Sequence, residues 1–224
     1  MLFPVRSARL AFYALAILSF TCPYSYSQPP DQKQVFARED AYVAEEMVMH
    51  HFRGAVLVGI DGKIVFEKAY GPADEEWDVP NTPKTKFRIA SLTKQFSAAC
   101  ILILQERGLL HVQDVASKYL PNLPAAWKGV TIHQLLTHTA GIPNADHSGQ
   151  QSVKMGDRIA ATPEEMIAGV ASKPLDFTPG TKWSYSNNGY ILLGMLIEKV
   201  SGQSYADFLK SDILRPARHE GLRL

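Results

Sequence analysis

Residues 86–96 carry the most informative pattern in the chain and read Lys86-Phe-Arg-Ile-Ala-Ser-Leu-Thr-Lys-Gln-Phe96. Apolar residues recur with helical spacing from Ser91 to Arg107, and Gly108 follows where a helix commonly ends, so the pattern predicts one long helix. The first turn of this helix carries Ser91 and Lys94, which are three positions apart and therefore share a face.

The Ser-x-x-Lys pair has the chemistry of an activated nucleophile. A serine hydroxyl needs an adjacent base, and a lysine amine held in a pocket can accept its proton. A nucleophile at a helix N-terminus also has a backbone N–H directed to the place where an oxyanion forms. The same spacing is expected about once by chance in a chain of this composition, and Ser91 alone also fits an ordinary helix N-cap.

A second motif, Tyr185-Ser-Asn187, favours the interpretation of Ser91 as a nucleophile over that of an ordinary N-cap. It follows a Pro179-Gly180 turn and precedes a predicted helix over Asn187 to Val200, which Ser201-Gly202 ends. The Tyr-x-Asn spacing is expected only about 0.2 times by chance. A tyrosine near a lysine ammonium can have a lowered phenol pKa and relay protons, and asparagine can hydrogen-bond an amide as donor and acceptor.

The other segments predict an α+β protein. Two β-rich runs, residues 54–60 and 63–67, are joined by Asp61-Gly62, which is a strong hairpin signal. A single hairpin followed by a mostly helical region favours the α+β class. Helical patterns cover residues 35–52 and 187–200, Thr162-Pro163-Glu164-Glu165 predicts the capped start of a helix over 166–171, and residues 71–86 are predicted as a turn-rich loop.

Composition excludes several classes of protein. Lys and Arg number 23 against 22 Asp and Glu, and this balance argues against a nucleic-acid partner. Two cysteines, Cys22 and Cys100, do not form a disulfide framework or a Cys-x-x-Cys site, and the apolar flanks of Cys100 predict a core residue.

The tryptophans receive structural interpretations, and we expect neither a metal nor a cofactor. Trp127 and Trp183 are expected to be packing residues, with a cleft-rim position as the alternative for Trp183.

Residues 1–27 have the pattern of a secretory signal peptide. Arg6 and Arg9 precede an apolar run from Leu10 to Phe20, and small residues precede a cleavage point after Ser27. The apolar run is too short for a membrane-spanning helix. We therefore expect a periplasmic or secreted protein without a stable membrane span, in which residues 28–34 form a linker.

The two motifs and one further segment together resemble the serine β-lactamase and penicillin-binding-protein superfamily, most closely its class C β-lactamase-like branch. The further segment reads Ile132-His-Gln-Leu-Leu-Thr-His-Thr-Ala-Gly-Ile-Pro143, and Asp114 to Pro121 and Phe177 to Thr181 are lesser matches. The resemblance implies a β-lactamase/transpeptidase-like fold, with a helical subdomain and an antiparallel sheet, over residues 35–217.

The resemblance also implies a role for each motif residue. By analogy Ser91 is the acylated nucleophile, Lys94 and Tyr185 handle its proton, and Asn187 binds the substrate amide. The implied substrates are β-lactams, D-Ala-D-Ala peptides of peptidoglycan, or esters. The oligomeric state stays open.

His133 and His138 lie in the segment from Ile132 to Pro143, which resembles a structural turn of the family. The resemblance therefore implies buried, hydrogen-bonded histidines and not metal ligands.

The Lys/His-x-Gly triplet that relatives carry on an edge strand is not found in the expected place. His147-Ser148-Gly149 precedes Tyr185, and His219-Glu220-Gly221 follows Asn187 too closely. We therefore expect an incomplete domain that lacks its C-terminal strands, with residues 218–224 as an out-of-frame tail. The alternative to a working hydrolase is a non-catalytic binding or sensor protein, or an inactive truncated fragment.

Overall fold

A computed structural model of the chain describes residues 31–144 and 162–218. These residues form two compact units, with the division between Thr85 and Lys86. The predicted signal peptide and residues 219–224 of the predicted tail lie outside the described residues, as do both Lys/His-x-Gly candidates.

The first unit begins with a helix that lies on a β-hairpin. Helix α1 spans Gln32–His50, strand β1 spans Gly54–Ile60 and strand β2 spans Lys63–Tyr70, with β1 and β2 antiparallel. The turn residues Asp61 and Gly62 both have positive φ angles, 50° and 73°, which is the type I′ geometry that Asp-Gly favours. This confirms the predicted hairpin.

One face of the hairpin is covered by α1. Phe66 is almost fully buried, and its ring centroid lies 4.8 Å from that of Phe36 on the helix. Val43 of α1 and Tyr70 of β2 are buried in the same cluster. The carboxylate of Asp40 in α1 accepts hydrogen bonds from Lys68 Nζ at 2.6 Å and Tyr70 Oη at 2.9 Å, both from β2.

Two sequence predictions for this unit need correction. Helix α1 begins at Gln32 because the Asp31 carboxylate accepts the N–H of Lys33 as an N-cap, so residues 32–34 are helical and do not belong to a linker. The predicted loop over 71–86 contains a second antiparallel pair, β3 (Pro72–Asp74) and β4 (Val79–Pro80). This pair is stabilised by Asn81, whose Nδ2 donates to the carbonyls of Tyr70 and Pro72.

The second unit is mainly helical. Its core consists of α-helical residues packed with apolar connecting residues, among which Cys100 and Trp127 are fully buried as predicted. The helices are α2 (Thr93–Glu106), α3 (Ile132–Leu136), α4 (Pro163–Ala168), α5 (Asn187–Ser201) and α6 (Tyr205–Leu209), followed by a π-helical turn (Lys210–Leu214); short 3₁₀ turns cover Ala90–Leu92, Ala116–Lys118 and Ala125–Trp127.

Local capping signals set several helix ends. Thr162 and Glu165 form a reciprocal capping box at the start of α4, although the helix ends at Ala168 and not at Ala171. Ser186 caps α5, which ends at Gly202 in the left-handed conformation. The predicted helix at 91–107 is confirmed in place, but it opens with a 3₁₀ turn before the α-helix begins at Thr93.

The antiparallel strand pairs and the helical unit together confirm the α+β class. No helix of the described ranges is both long enough and apolar enough to cross a membrane.

Candidate active site

Ser91 lies in the 3₁₀ turn directly before α2, on the exposed surface of the second unit. The preceding residue, Ala90, has a positive φ of 44°, which is uncommon for a residue with a Cβ atom. The N-cap residue of α2 is Leu92, and no side chain caps this helix. The N-cap interpretation of Ser91 is therefore wrong, and its hydroxyl is left for other partners.

Those partners are the three other motif residues. Ser91 Oγ lies 2.6 Å from Tyr185 Oη and accepts a 3.3 Å hydrogen bond from Lys94 Nζ. Lys94 Nζ also donates to Asn187 Oδ1 at 2.8 Å. The four predicted site residues thus form one connected hydrogen-bonded group, although Ser91 and Tyr185 are 94 positions apart in the chain.

Helix packing produces this arrangement. Lys94 lies in the first turn of α2, and Asn187 is the first residue of α5, and these two helices pack against each other. Leu104 of α2 and Leu193 of α5 are fully buried in the shared core. The apolar contacts along the helices therefore bring their N-terminal ends together.

The electrostatics favour a reactive Tyr185. Its pKa is lowered, first by hydrogen bonding with Lys94 and then by hydrogen bonding with Ser91, although partial burial acts in the opposite direction. Lys94 Nζ lies 4.7 Å from the centre of the Tyr185 ring and 5.4 Å from that of Tyr190, distances suited to cation–π attraction. A phenolate is consequently easier to form here than in water.

Two residues from the connection after α3 hold the Tyr185 segment. Asn144 Nδ2 donates to the Tyr185 carbonyl at 2.7 Å, and Asn144 Oδ1 accepts the N–H of Asn187, also at 2.7 Å. His138 Nδ1 accepts the N–H of Ser186 at 3.1 Å, and the His138 carbonyl accepts the N–H of Ser184 at 2.9 Å.

Sequence reasoning did not single out Asn144. The only signal for it is its place directly after the segment that ends at Pro143. His138 is half-buried and hydrogen-bonded, in agreement with its structural interpretation. His133 is exposed, so its interpretation as a buried residue is wrong. His133 lies on the solvent face of α3 because the buried face of this short helix is formed by Ile132 and Leu135.

Trp183 is 66% exposed, so the prediction that it is a packing residue is wrong. Trp183 lies two residues before Tyr185 in the chain, and its ring meets the ring of His138 edge-on, with 6.0 Å between the ring centroids. The alternative position, at the rim of the site, fits this exposure.

A cavity of about 600 Å³ adjoins Lys94 and Asn187. Its wall is largely apolar and includes Met166 of α4 and Ile191 of α5. Gly194 of α5 also lines it, and a Cβ atom at this position would meet nothing within 4 Å. The site thus has free space next to its polar residues.

Metal ligands do not converge in the described part of the chain, where no three His, Cys, Asp or Glu side chains form a group. The four site residues supply a hydroxyl, an amine, a phenol and an amide group. Such a set can transfer protons and form an ester at Ser91.

Comparison with known proteins gives a consistent result. The profile of the Beta-lactamase family matches residues 40–221. Penicillin-binding protein 4* of Bacillus subtilis (strain 168) is 38% identical over 170 residues, which are 75% of this chain and 37% of that protein. The chain therefore spans less than two fifths of this curated relative.

Solved structures agree with the sequence match. The octameric penicillin-binding protein homologue from Pyrococcus abyssi has a TM-score of 0.72 at 34% identity, over 82% of this chain and 43% of that one. A class C beta-lactamase has a TM-score of 0.72 at 26% identity, over 86% of this chain and 51% of that one. These matches confirm the β-lactamase/transpeptidase-like fold.

Proposed function

The chain belongs to the beta-lactamase family, and from this premise we propose that it is a serine acyl hydrolase whose acyl-enzyme forms on Ser91. The observation that carries the proposal is the 2.6 Å separation of Ser91 Oγ and Tyr185 Oη, with Lys94 Nζ next to both. A nucleophile and its base must lie within hydrogen-bond reach before a proton can move between them.

In the proposed reaction, the Ser91 hydroxyl gives its proton to the Tyr185–Lys94 pair while Oγ bonds to the substrate carbonyl carbon. The tetrahedral intermediate collapses when the bond from that carbon to the leaving nitrogen or oxygen breaks, and the pair returns the proton to the leaving atom. A water molecule then loses a proton to the same pair, its oxygen attacks the ester, and the acid product leaves as Ser91 regains its hydrogen.

Asn187 has the role of a substrate ligand in this proposal. Its Oδ1 accepts from Lys94, and its Nδ2 group is the donor that we assign to a substrate carbonyl. The adjoining cavity is where we place the apolar part of the substrate that lies against Asn187, because it is the space that opens directly from this side chain.

The names of the relatives support a proposal for the substrate class. Their names include a penicillin-binding protein and a class C beta-lactamase, so we propose amides and esters of the β-lactam or D-Ala-D-Ala peptide type as substrates. We also propose that residues 1–27 direct export to the periplasm or the medium. The competing function is that of a non-catalytic binding or sensor protein, and a covalent probe distinguishes the two.

The test is labelling of the whole chain with a fluorescent penicillin and, separately, with a fluorophosphonate. We expect the folded chain to retain one label, visible after denaturation, and Ser91→Ala to retain none. Ser184→Ala is the matched control, because Ser184 is an exposed serine next to the site and its backbone N–H, which the substitution keeps, makes the hydrogen bond to His138. Absence of a label on the folded chain, or equal labelling of Ser91→Ala, contradicts the proposal.

A further inference from the structure

His138 is held in an uncommon backbone conformation beside the site. Its φ is 60°, in the left-handed region where histidine, asparagine and aspartate are enriched among residues other than glycine. From this position the residue contacts the segment that carries Tyr185 at two points. Its carbonyl accepts the N–H of Ser184, and its Nδ1 accepts the N–H of Ser186.

We propose that His138 is a positioning residue for Tyr185, and that it performs this role only as a neutral imidazole. The proposal rests on the assignment of Tyr185 to proton transfer. The two hydrogen bonds lie on either side of Tyr185, and the imidazole ring is 4.7 Å from the Tyr185 ring at an interplanar angle of 33°. The backbone and the ring of Tyr185 are therefore both restrained by one residue.

The hydrogen bond to Ser186 fixes the tautomer. A backbone N–H can only donate, so the Nδ1 atom that receives it must be unprotonated, and the proton of a neutral ring then resides on Nε2. Protonation of Nδ1 would set two donors against each other and break this bond. The hydrogen bond between the Ser186 N–H and His138 Nδ1 is consequently lost when the ring becomes an imidazolium.

The side chains that face His138 are Lys94 from α2, Tyr185 from the segment before α5 and Tyr190 from α5, with the uncharged indole of Trp183 at the edge. Of these, the Lys94 charge opposes protonation of the ring. The pKa of His138 is lowered, first by partial burial and then by the Lys94 charge. The ring accordingly stays neutral at neutral pH and gains its proton only in more acidic solution.

His138 acts through Tyr185 and not on the reacting atoms. The reactive distance is the one between Ser91 Oγ and Tyr185 Oη, and proton transfer is sensitive to small displacements of such pairs. A misplacement of about 1 Å can lower a rate by about 100-fold. Loss of the His138 contacts should therefore slow acylation more than it weakens substrate binding.

The first experiment compares His138→Ala with His138→Asn in the full chain, using the rate of acylation by fluorescent penicillin. Asparagine adopts positive φ readily, and its Oδ1 can accept the Ser186 N–H. We expect His138→Ala to lower the limiting acylation rate by about 10- to 100-fold, with little change in the half-saturating concentration, and His138→Asn to restore most of the rate. Equal rates for the two variants, whether both high or both low, overturn the proposal.

The pH profile separates positioning from a general effect on folding. In the natural chain, acylation should fall in acidic solution as His138 is protonated. In His138→Asn that acidic limb should move to lower pH, because the amide does not titrate. An unchanged acidic limb in His138→Asn also overturns the proposal.

A second readout needs no catalysis. Nitrogen-15 NMR of the natural chain should show an unprotonated Nδ1 and a protonated Nε2 for His138, and the carbon-13 signal of the Tyr185 phenol carbon should shift as His138 titrates. In His138→Asn this shift should be absent. If the natural chain never labels but the NMR coupling is present, the proposed function fails and the positioning role stands. A protonated Nδ1, or a Tyr185 signal that ignores the His138 titration, overturns the positioning role even if His138→Ala does not fold.

Discussion

The hydroxyl oxygens of Ser91 and Tyr185 lie 2.6 Å apart, and neither residue belongs to the regular part of a helix. Ser91 is in the 3₁₀ turn before α2, and Tyr185 directly precedes the N-cap of α5. Their contact therefore depends on two helix starts that are brought together by packing and on the connection that holds Tyr185. We therefore expect different effects from replacing Lys94, Asn144 and the two glycines Gly141 and Gly194.

Replacement of Lys94 by methionine tests the proposed role of Lys94 in proton transfer. The variant keeps an unbranched side chain of similar length but removes the hydrogen bond and the charge that lower the Tyr185 pKa. We expect the acylation rate to fall by about 10²- to 10⁴-fold, the range attributed to a positioned acid or base, and the phenol pKa to rise. Stopped-flow labelling gives the rate and ultraviolet titration the pKa. Acylation of Lys94→Met at the natural rate would show that Lys94 is not needed for proton transfer.

Replacement of Asn144 by alanine tests the connection. The change removes both 2.7 Å hydrogen bonds to the segment from Tyr185 to Asn187, and a net loss of about 1 kcal/mol in the free energy of unfolding is expected for exposed bonds of this kind. Acylation should slow together with this loss. Asn122→Ala is the control, because Asn122 is an exposed asparagine of the same unit. Urea titrations measure both variants, and equal midpoints would contradict the assigned role of Asn144.

Two glycine-to-alanine changes should act in opposite directions. Gly141 has a φ of 72°, and a Cβ atom there would lie 2.4 Å from the Phe177 carbonyl oxygen, whereas Gly194 is helical and has open space. We expect Gly194→Ala to raise the free energy of unfolding by about 0.5–1 kcal/mol and Gly141→Ala to lower it. Thermal unfolding followed by circular dichroism checks the signs. A stabilised Gly141→Ala would be incompatible with the close approach of Phe177.

The role of the cavity can be tested by substitutions at Gly194, which lines it. Gly194→Phe places a ring in the space next to Asn187, whereas Gly194→Ala leaves most of it free. We expect Gly194→Phe to raise the half-saturating concentration for probes with a bulky apolar group and to leave labelling by a small fluorophosphonate unchanged. Equal sensitivity of large and small probes would mean that the cavity does not take the apolar part of the substrate.

We expect Asp114 to make the free energy of unfolding of the second unit vary with pH in acidic solution. Its carboxylate accepts from Tyr119 Oη at 2.5 Å, from Lys118 Nζ at 2.9 Å and from the N–H of His111, and these contacts lower its pKa to about 2. Because the folded pKa lies below the unfolded one, this stabilisation is complete above about pH 4. It is lost as the pH falls from about 4 toward 2.

Asp114→Asn removes the titrating group, so its stability should change less than that of the natural chain across this pH range. Urea unfolding at a series of pH values between about 2 and 5 gives the comparison. Parallel curves for the two proteins would show that Asp114 does not contribute to the acid dependence.

Local chemistry made part of this structure predictable. The turn at Asp61-Gly62 needs two residues that accept positive φ, and the capping box of Thr162 and Glu165 needs groups three positions apart. Both are decided by neighbours in sequence. The apolar spacing predicts the start of α1 three residues late, because the cap that Asp31 provides is a polar signal outside that spacing.

The parts that sequence reasoning missed depend on contacts between distant positions. Strands β3 and β4 have three and two residues, too few for a periodic signal, and the hydrogen bonds of Asn81 hold them in place. Asn144 gains its role from Tyr185 and Asn187, 41 and 43 positions away. No local pattern distinguishes such an asparagine from one in an ordinary loop.

The backbone at Ala90 limits which amino acids the chain can accept beside Ser91. A left-handed conformation costs roughly 1–2 kcal/mol for a residue with a Cβ atom, and a branched side chain fits it less well than a methyl group. Glycine removes this cost, but it also enlarges the set of unfolded conformations. Main-chain geometry therefore limits which amino acids are accepted at position 90, independently of any role in acyl transfer. Viable variants should be confined to the smallest side chains and to those, such as asparagine, that tolerate positive φ.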